Sequence, residues 1–124
     1  MNVKKVTAIV RTEVLEDVES RLRQLGVPGL TVWRVKGFGE YANFFTPDWM
    51  SHYARVEIFT DAAQAQQIVD TIMRAAHTGT AGDGIVALLP VDRLFRIRDG
   101  RELQSLHGPN VREDGGEPGA RAEV

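Results

Sequence analysis

The sequence predicts an α+β sandwich: two strand–helix–strand halves in tandem, sharing one sheet with both helices on the same face. Three observations predict it. Apolar and polar residues alternate over 3–10 and 54–60, apolar residues recur at helical spacing over 14–25 and 65–76, and the run IVALLPV fills 85–91. A period of two marks a strand with one buried face, and a period near 3.6 marks an amphipathic helix.

The elements follow in order. VKKVTAIV (3–10) sets Val6, Ala8 and Val10 on one side of a first strand. VLEDVESRLRQL (14–25) places Val14, Val18, Leu22 and Leu25 on one helical face, with Glu and Arg opposite. Gly26, with Pro28 and Gly29 behind it, stops that helix. LTVWRVK (30–36) is rich in β-branched and aromatic residues and reads as a second strand, ended by Gly37 and Gly39. In ARVEIFT (54–60), Val56 and Ile58 alternate with Arg55 and Glu57. Thr60 or Asp61 is placed to cap a second helix with apolar positions Ala65, Ile68, Val69, Ile72, Met73 and Ala76, and Gly79 is placed to end it. IVALLPV is apolar on both faces, as expected of a strand in the middle of a sheet. LFRIR (94–98) adds a small C-terminal strand. Two such halves give the ferredoxin-like, βαββαβ arrangement. One sheet face then stays open, with Trp33 on it, and is expected to be covered by self-association.

Composition narrows the function classes. The 124 residues are 43% hydrophobic and 26% charged with formal net charge −2, which describes a globular chain and not a basic nucleic-acid binder. There is no cysteine, so disulfides, thiolate metal sites and cysteine nucleophiles are excluded. No apolar run approaches a membrane span, and the N-terminal apolar stretch is too short for a signal peptide, so a cytoplasmic protein is expected. Residues 1–107 read as one domain. The glycine-, proline- and charge-rich 108–124 reads as a flexible tail.

Three segments carry chemistry: KGFGE (36–40), TGTAGDG (78–84) and RIRDG (96–100). Each falls at the end of an element, where backbone amides are free. TAGDG is not a P-loop, because no Lys-Ser/Thr follows it. Arg96 and Arg98, if extended, put both guanidiniums on one side, spaced to grip a phosphate pair; a charge-blunted edge strand is the alternative. His52, His77 and His107 share no ligand spacing, so no metal is expected, although His77 adjoins the glycine loop.

Over roughly residues 3–102 the chain resembles the nitrogen-regulatory P-II signalling family. GLTVWRVKGFG (29–39), TGTAGDG (78–84), LLPV (88–91) and RIRDGRE (96–102) carry the resemblance, specific in this order and spacing. It implies a homotrimer binding adenine nucleotide between subunits, with a loop after the second strand reporting ligand state to channels, transporters or enzymes. By the same resemblance, Ile9, Thr31, Gly37, Phe38, Gly39 and Phe59 fall where the family builds the adenine and ribose pocket. Gly82, Asp83 and Gly84 match its phosphate loop, and Arg96 and Arg98 its phosphate-binding arginines from the neighbouring subunit.

The departures are specific. Glu40 stands where the family usually has a phosphate-binding arginine, and Ile85 where it has a lysine. Tyr41 and Tyr53 replace the glutamine and lysine that hold magnesium and 2-oxoglutarate. A charge-assisted hydrogen bond contributes about 1.5–3 kcal/mol, and tenfold in affinity is about 1.4 kcal/mol. Losing two cations, one to an acid, therefore predicts ADP or AMP over ATP and no magnesium-bridged oxo-acid.

The reporting loop, 40–53, is shorter than the family's and holds Tyr41, Phe44, Phe45, Trp49 and Tyr53, a density that means a binding surface or a loop folded onto the core. Short-looped P-II-like proteins resemble those linked to carboxysomes and bicarbonate uptake. Bicarbonate is thus the expected second ligand, with Arg11, Lys36 or Arg55 as contacts, and the partner a transporter or carboxysome-related enzyme. The chain reads as a non-enzyme with no cofactor beyond this ligand. The readings it displaces are a nucleotide phosphohydrolase using Asp83 or Glu57, a nitrogen/2-oxoglutarate sensor, a structural or metal-tolerance trimer, and an RNA binder.

Overall fold

The computed structural model describes residues 2–37 and 51–106. Its elements are β1 (Val3–Arg11), a single 3-10 turn (Thr12–Val14), α1 (Leu15–Leu25), β2 (Thr31–Gly37), β3 (Ser51–Asp61), α2 (Ala62–Ala76) and β4 (Gly84–Pro90). The strands form one sheet in the order β2-β3-β1-β4, every neighbour antiparallel. This is the expected ferredoxin-like topology.

Period-two alternation decides which face is buried. Val6, Ala8 and Val10 of β1 face the helices beside Val56 and Ile58 of β3, and meet Val18 and Leu22 of α1 and Ile68, Ile72 and Ala76 of α2 in one core. Burying each of the larger aliphatic side chains contributes about 1.5–3 kcal/mol. Met73, expected on the buried stripe of α2, is 55% exposed. At the end of α1, Gly26 takes φ +94. Its amide reaches the Arg23 carbonyl at 3.1 Å, and Val27 reaches Leu22 at 3.4 Å. That paired closure needs the left-handed conformation glycine adopts without strain.

The structure differs from the sequence expectation at four points in these elements. α2 ends at Ala76 with an extended His77, not at Gly79, which takes φ +86 in the turn beyond. Asp61 does precede α2, but its side chain makes no cap bond; its carboxylate accepts instead from the Leu106 amide at 2.8 Å and the Ser105 hydroxyl at 3.3 Å. β4 is an edge strand and not a central one. Its apolar run leaves Ile85, Leu88 and Leu89 exposed at 37–45%, so apolarity on both faces did not mean a neighbour on both sides. Finally, 94–98 is not a continuous strand. Phe95 bridges Glu102 in a hairpin, and residues 97–99 form its turn.

The open face is less apolar than expected. Ile85 and Leu89 border it on β4, but its middle is charged. Glu57 Oε2 lies 3.6 Å from Lys5 Nζ and 3.8 Å from Arg55 Nε, and the Arg55 guanidinium sits 4.4 Å from the centre of the Trp33 ring. Phe38, Gly39, Tyr41, Phe44, Phe45, Trp49 and the 108–124 tail lie outside the described residues.

Candidate functional site

The residues singled out in the sequence assemble into two groups, at opposite ends of the sheet. Ile9, Gly37 and Gly82–Gly84 belong to one end. Gly37 faces Ser51 where β2 ends and β3 begins, and Gly84 faces Val10 where β4 begins. The other end holds Thr31, Phe59, Arg96 and Arg98. These line a cleft of about 530 Å³ with Leu30, Glu57, Phe95 and Ile97. β4 runs from Gly84 to Pro90 between the two ends, roughly 20 Å at the usual rise per residue.

At the first end the fold works backwards from a close approach. Gly84 takes φ +113, and a Cβ there would overlap the Ile9 carbonyl oxygen, so β1 and β4 can pair at that point only over a glycine. Gly82 takes φ +93 and is buried. Between them, Asp83 turns its carboxylate into the loop. It accepts from the Thr78 amide at 2.8 Å, the Gly79 amide at 2.9 Å and the Thr78 hydroxyl. Arg11 closes the arrangement from the end of β1. Its Nε donates to Asp83 Oδ1 at 3.2 Å, and one terminal nitrogen donates to Thr80 Oγ1 at 3.0 Å and the Ala81 carbonyl at 2.6 Å. Burial alone would raise the Asp83 pKa. The bonds from Thr78, Gly79 and Arg11 outweigh it and hold the carboxyl well below the usual range.

Asp83 is therefore a brace for the loop. A carboxylate so strongly held in its ionised form is a poor general base, which removes the acid that a hydrolase reading would use there. His77 Nδ1 lies 3.8 Å from Asp83 Oδ2, at the rim of the same loop. Arg11, one of the three cations considered for bicarbonate, is committed to this brace. Arg55 is engaged by Glu57 and Trp33. Lys36 is exposed, opposite His52 near the end of the β2–β3 ladder.

At the second end, Phe59 lies opposite Lys5 and Thr31 opposite Glu57. The hairpin delivers the arginines. The Arg96 amide bonds to the Arg101 carbonyl at 2.9 Å and the Leu103 amide to Leu94 at 2.8 Å. Arg93 clamps the base through both oxygens of Glu102 at 3.0 and 3.1 Å. Arg98 lies in the turn, so the alternating geometry expected for Arg96 and Arg98 gives way to a turn that still keeps both on the cleft.

Tyr53 differs from its assignment to the reporting loop. β3 begins at Ser51, Tyr53 pairs between Arg11 and Val35, and its side chain is buried. Pairing with β2 claims the last three residues of 40–53, because Val35, Lys36 and Gly37 of β2 lie opposite them. Sequence reasoning missed the loop-bracing role of Arg11, which sits 72 residues from Asp83 and has no local signal. It also missed Asp61 as the tether of 105–106. Among the described residues, no group of three His, Asp or Glu side chains could hold a metal ion, and no helix is long and apolar enough to cross a membrane.

Comparison with known proteins gives a consistent result. The family model described as nitrogen regulatory protein P-II matches residues 3–101. The nitrogen regulatory protein P-II of a Synechocystis strain is 36% identical over 107 residues, covering 80% of this chain and 95% of the relative. Nitrogen regulatory protein P-II 1 of Escherichia coli K12 is 37% identical over 111 residues with the same coverage. A crystal structure of Arabidopsis thaliana PII bound to citrate superposes with a TM-score of 0.71 at 35% identity, covering 83% of this chain and 90% of that one.

Proposed function

Because this chain belongs to the nitrogen regulatory protein P-II family, we propose that it is a signalling protein that takes ADP or AMP in preference to ATP in clefts between subunits of a homotrimer. In this reading the 40–53 segment reports occupancy to a protein partner, a transporter or carboxysome-related enzyme, and bicarbonate is a second ligand. The division of the site carries the proposal. One chain holds the glycine loop at one end of its sheet and the Arg96–Arg98 hairpin at the other, too far apart to meet on a short phosphate chain. A second copy, presenting its hairpin end to the first copy's loop end, brings them together. The exposed Ile85 and Leu89 on an edge strand are the surface such packing would cover.

The loop chemistry fits a phosphate. Gly82 and Gly84 are held at positive φ, so no side chain stands over the backbone there, and Asp83 is turned inward and not toward a ligand. Backbone amides in such a turn favour anions. Ile85, where a lysine would add a cation, is the first residue beyond the loop, which supports the shorter phosphate chain. The Arabidopsis relative's citrate supports a small anion as second ligand here, with Lys36 as its contact.

The test is titration calorimetry of the purified chain with AMP, ADP and ATP, each with and without bicarbonate, beside sedimentation equilibrium. Expected are a trimer, ADP and AMP binding at least tenfold tighter than ATP, and a bicarbonate-dependent change in nucleotide affinity. A monomer, or a trimer indifferent to all three nucleotides, overturns the reading; a trimer whose affinities ignore bicarbonate removes the second ligand alone.

A further inference from the structure

The hairpin that carries Arg96 to the cleft also carries an acid against it. Arg96 Nε donates to Asp99 Oδ1 at 3.3 Å, and a terminal nitrogen donates to Oδ2 at 2.6 Å. The turn is built to keep this pair. The Arg101 amide donates to Asp99 Oδ1 at 3.1 Å, the Gly100 amide to the Arg96 carbonyl at 2.9 Å, and Gly100 takes φ +70. The Arg96 side chain is 10% exposed and Asp99 is 30% exposed, so the guanidinium is confined while the carboxylate keeps one flank toward solvent. Arg96 lines the cleft.

We infer that Asp99 is an internal counter-ion that sets how much phosphate charge the cleft accepts. The inference rests on the nucleotide reading above and names a residue that biases that site against the more highly charged ligands. Arg96 reaches the cleft already neutralised. An incoming phosphate must share the guanidinium with Asp99, and its charge meets a fixed negative charge a few ångströms behind the cation. That repulsion grows with each charge the ligand brings. A nucleoside feels none of it, a monophosphate little, and a triphosphate the most. Asp99 acts through Arg96 and is a positioning residue. Arg101 bonds Asp99 through its backbone amide.

The experiment is calorimetric titration of the wild type, Asp99→Asn and Asp99→Glu with adenosine, AMP, ADP and ATP, at low and physiological salt. Asparagine keeps an oxygen for the Arg101 amide and removes the charge. It is expected to improve ATP relative to AMP on the order of tenfold, leave adenosine unchanged, and lose part of that gain as salt screens the field. Glutamate keeps the charge and should keep the wild-type order. If Asp99→Asn moves all four ligands by one common factor, Asp99 merely shapes the turn and the inference is overturned. A wild type that binds nucleotide while the ATP-to-AMP ratio stays fixed in Asp99→Asn sinks the inference alone. A wild type and variant that bind none of the four remove the nucleotide reading and the inference together. Should the asparagine variant not fold, Asp99→Ser, which also offers an oxygen to the Arg101 amide, carries the same test.

Discussion

In the 77–84 loop an aspartate is met by an arginine 72 residues away in sequence; in the 93–103 hairpin an aspartate is met by an arginine three residues away. Asp83 draws its partners from the start of the turn, where Thr78 and Gly79 donate to it, and from the end of β1, where Arg11 does. Asp99 draws its partners from its own hairpin. The first loop therefore exists only when β1 and β4 have paired, whereas the second carries its geometry with it. A ligand that touches the first reads the state of the sheet. One that touches the second meets a self-contained arm, suited to being presented to a neighbouring copy.

Gly84→Ala should break that dependence most severely. The new Cβ would meet the Ile9 carbonyl oxygen at φ +113, so either β1 and β4 separate locally or the loop tears away from Arg11. Strain at such a φ and overpacking against backbone each cost about 1–3 kcal/mol, a large part of a small domain's stability. Thermal denaturation should show a loss of roughly 3 kcal/mol or more. Gly100→Ala, where a Cβ meets nothing within 4 Å, should cost less. Equal losses at the two glycines would mean that the 77–84 loop leans on the sheet no more than the hairpin does.

Asp83→Asn comes next. It leaves Arg11 without its counter-ion and turns one acceptor oxygen into a donor facing the Thr78 and Gly79 amides, for a loss of about 1–3 kcal/mol. The acid limb of stability supplies the sign. The folded pKa of Asp83 lies below its ordinary 3.8, so its stabilisation is present in full above that value and is lost as pH falls beneath it. Melting temperatures followed down from pH 6 should fall more steeply for the wild type than for Asp83→Asn below about pH 4. Parallel curves would show that the carboxylate does not brace the loop. In a double-mutant cycle with Arg11→Ala, the pair should couple by about 0.5–3 kcal/mol.

The same contrast explains what the sequence made legible. Period-two alternation placed β1 and β3 and the 3.6-residue pattern both helices, because each reports a single buried face, whereas β2 shows in its β-branched and aromatic residues and β4 in its apolar run. Gly26 marked its helix end through a conformation that glycine alone takes easily. The RIRD run put Asp99 beside Arg96 in plain view, though as a spacing without a contact. Arg11 was invisible as a brace, since nothing local in TAIVRTEV says that its guanidinium crosses to residues 80–83. The edge position of β4 is hidden for a related reason. A strand apolar on both faces looks central whether its second face meets another strand or waits for another molecule, and only the pairing register separates these. The aromatics clustered across 40–53 make Tyr53 look like a loop residue, while the register of β2 against β3 extends the ladder as far as Ser51.

The smallest effect is expected at Arg93, and it sharpens the comparison from the other side. Arg93 closes the hairpin base through Glu102 and lies 4.9 Å from the centre of the Phe95 ring. Its side chain is 65% exposed, so solvent screens the pair that raises the Arg93 pKa and lowers that of Glu102. The backbone bonds of Arg96 to Arg101 and of Leu103 to Leu94 remain when the guanidinium is removed. Arg93→Ala should therefore leave the melting temperature within experimental error, and leave the Arg96–Asp99 pair in place. A loss as large as that of Asp83→Asn would mean that the hairpin depends on its exposed ion pairs. The arm would then be no more self-contained than the loop it is compared with.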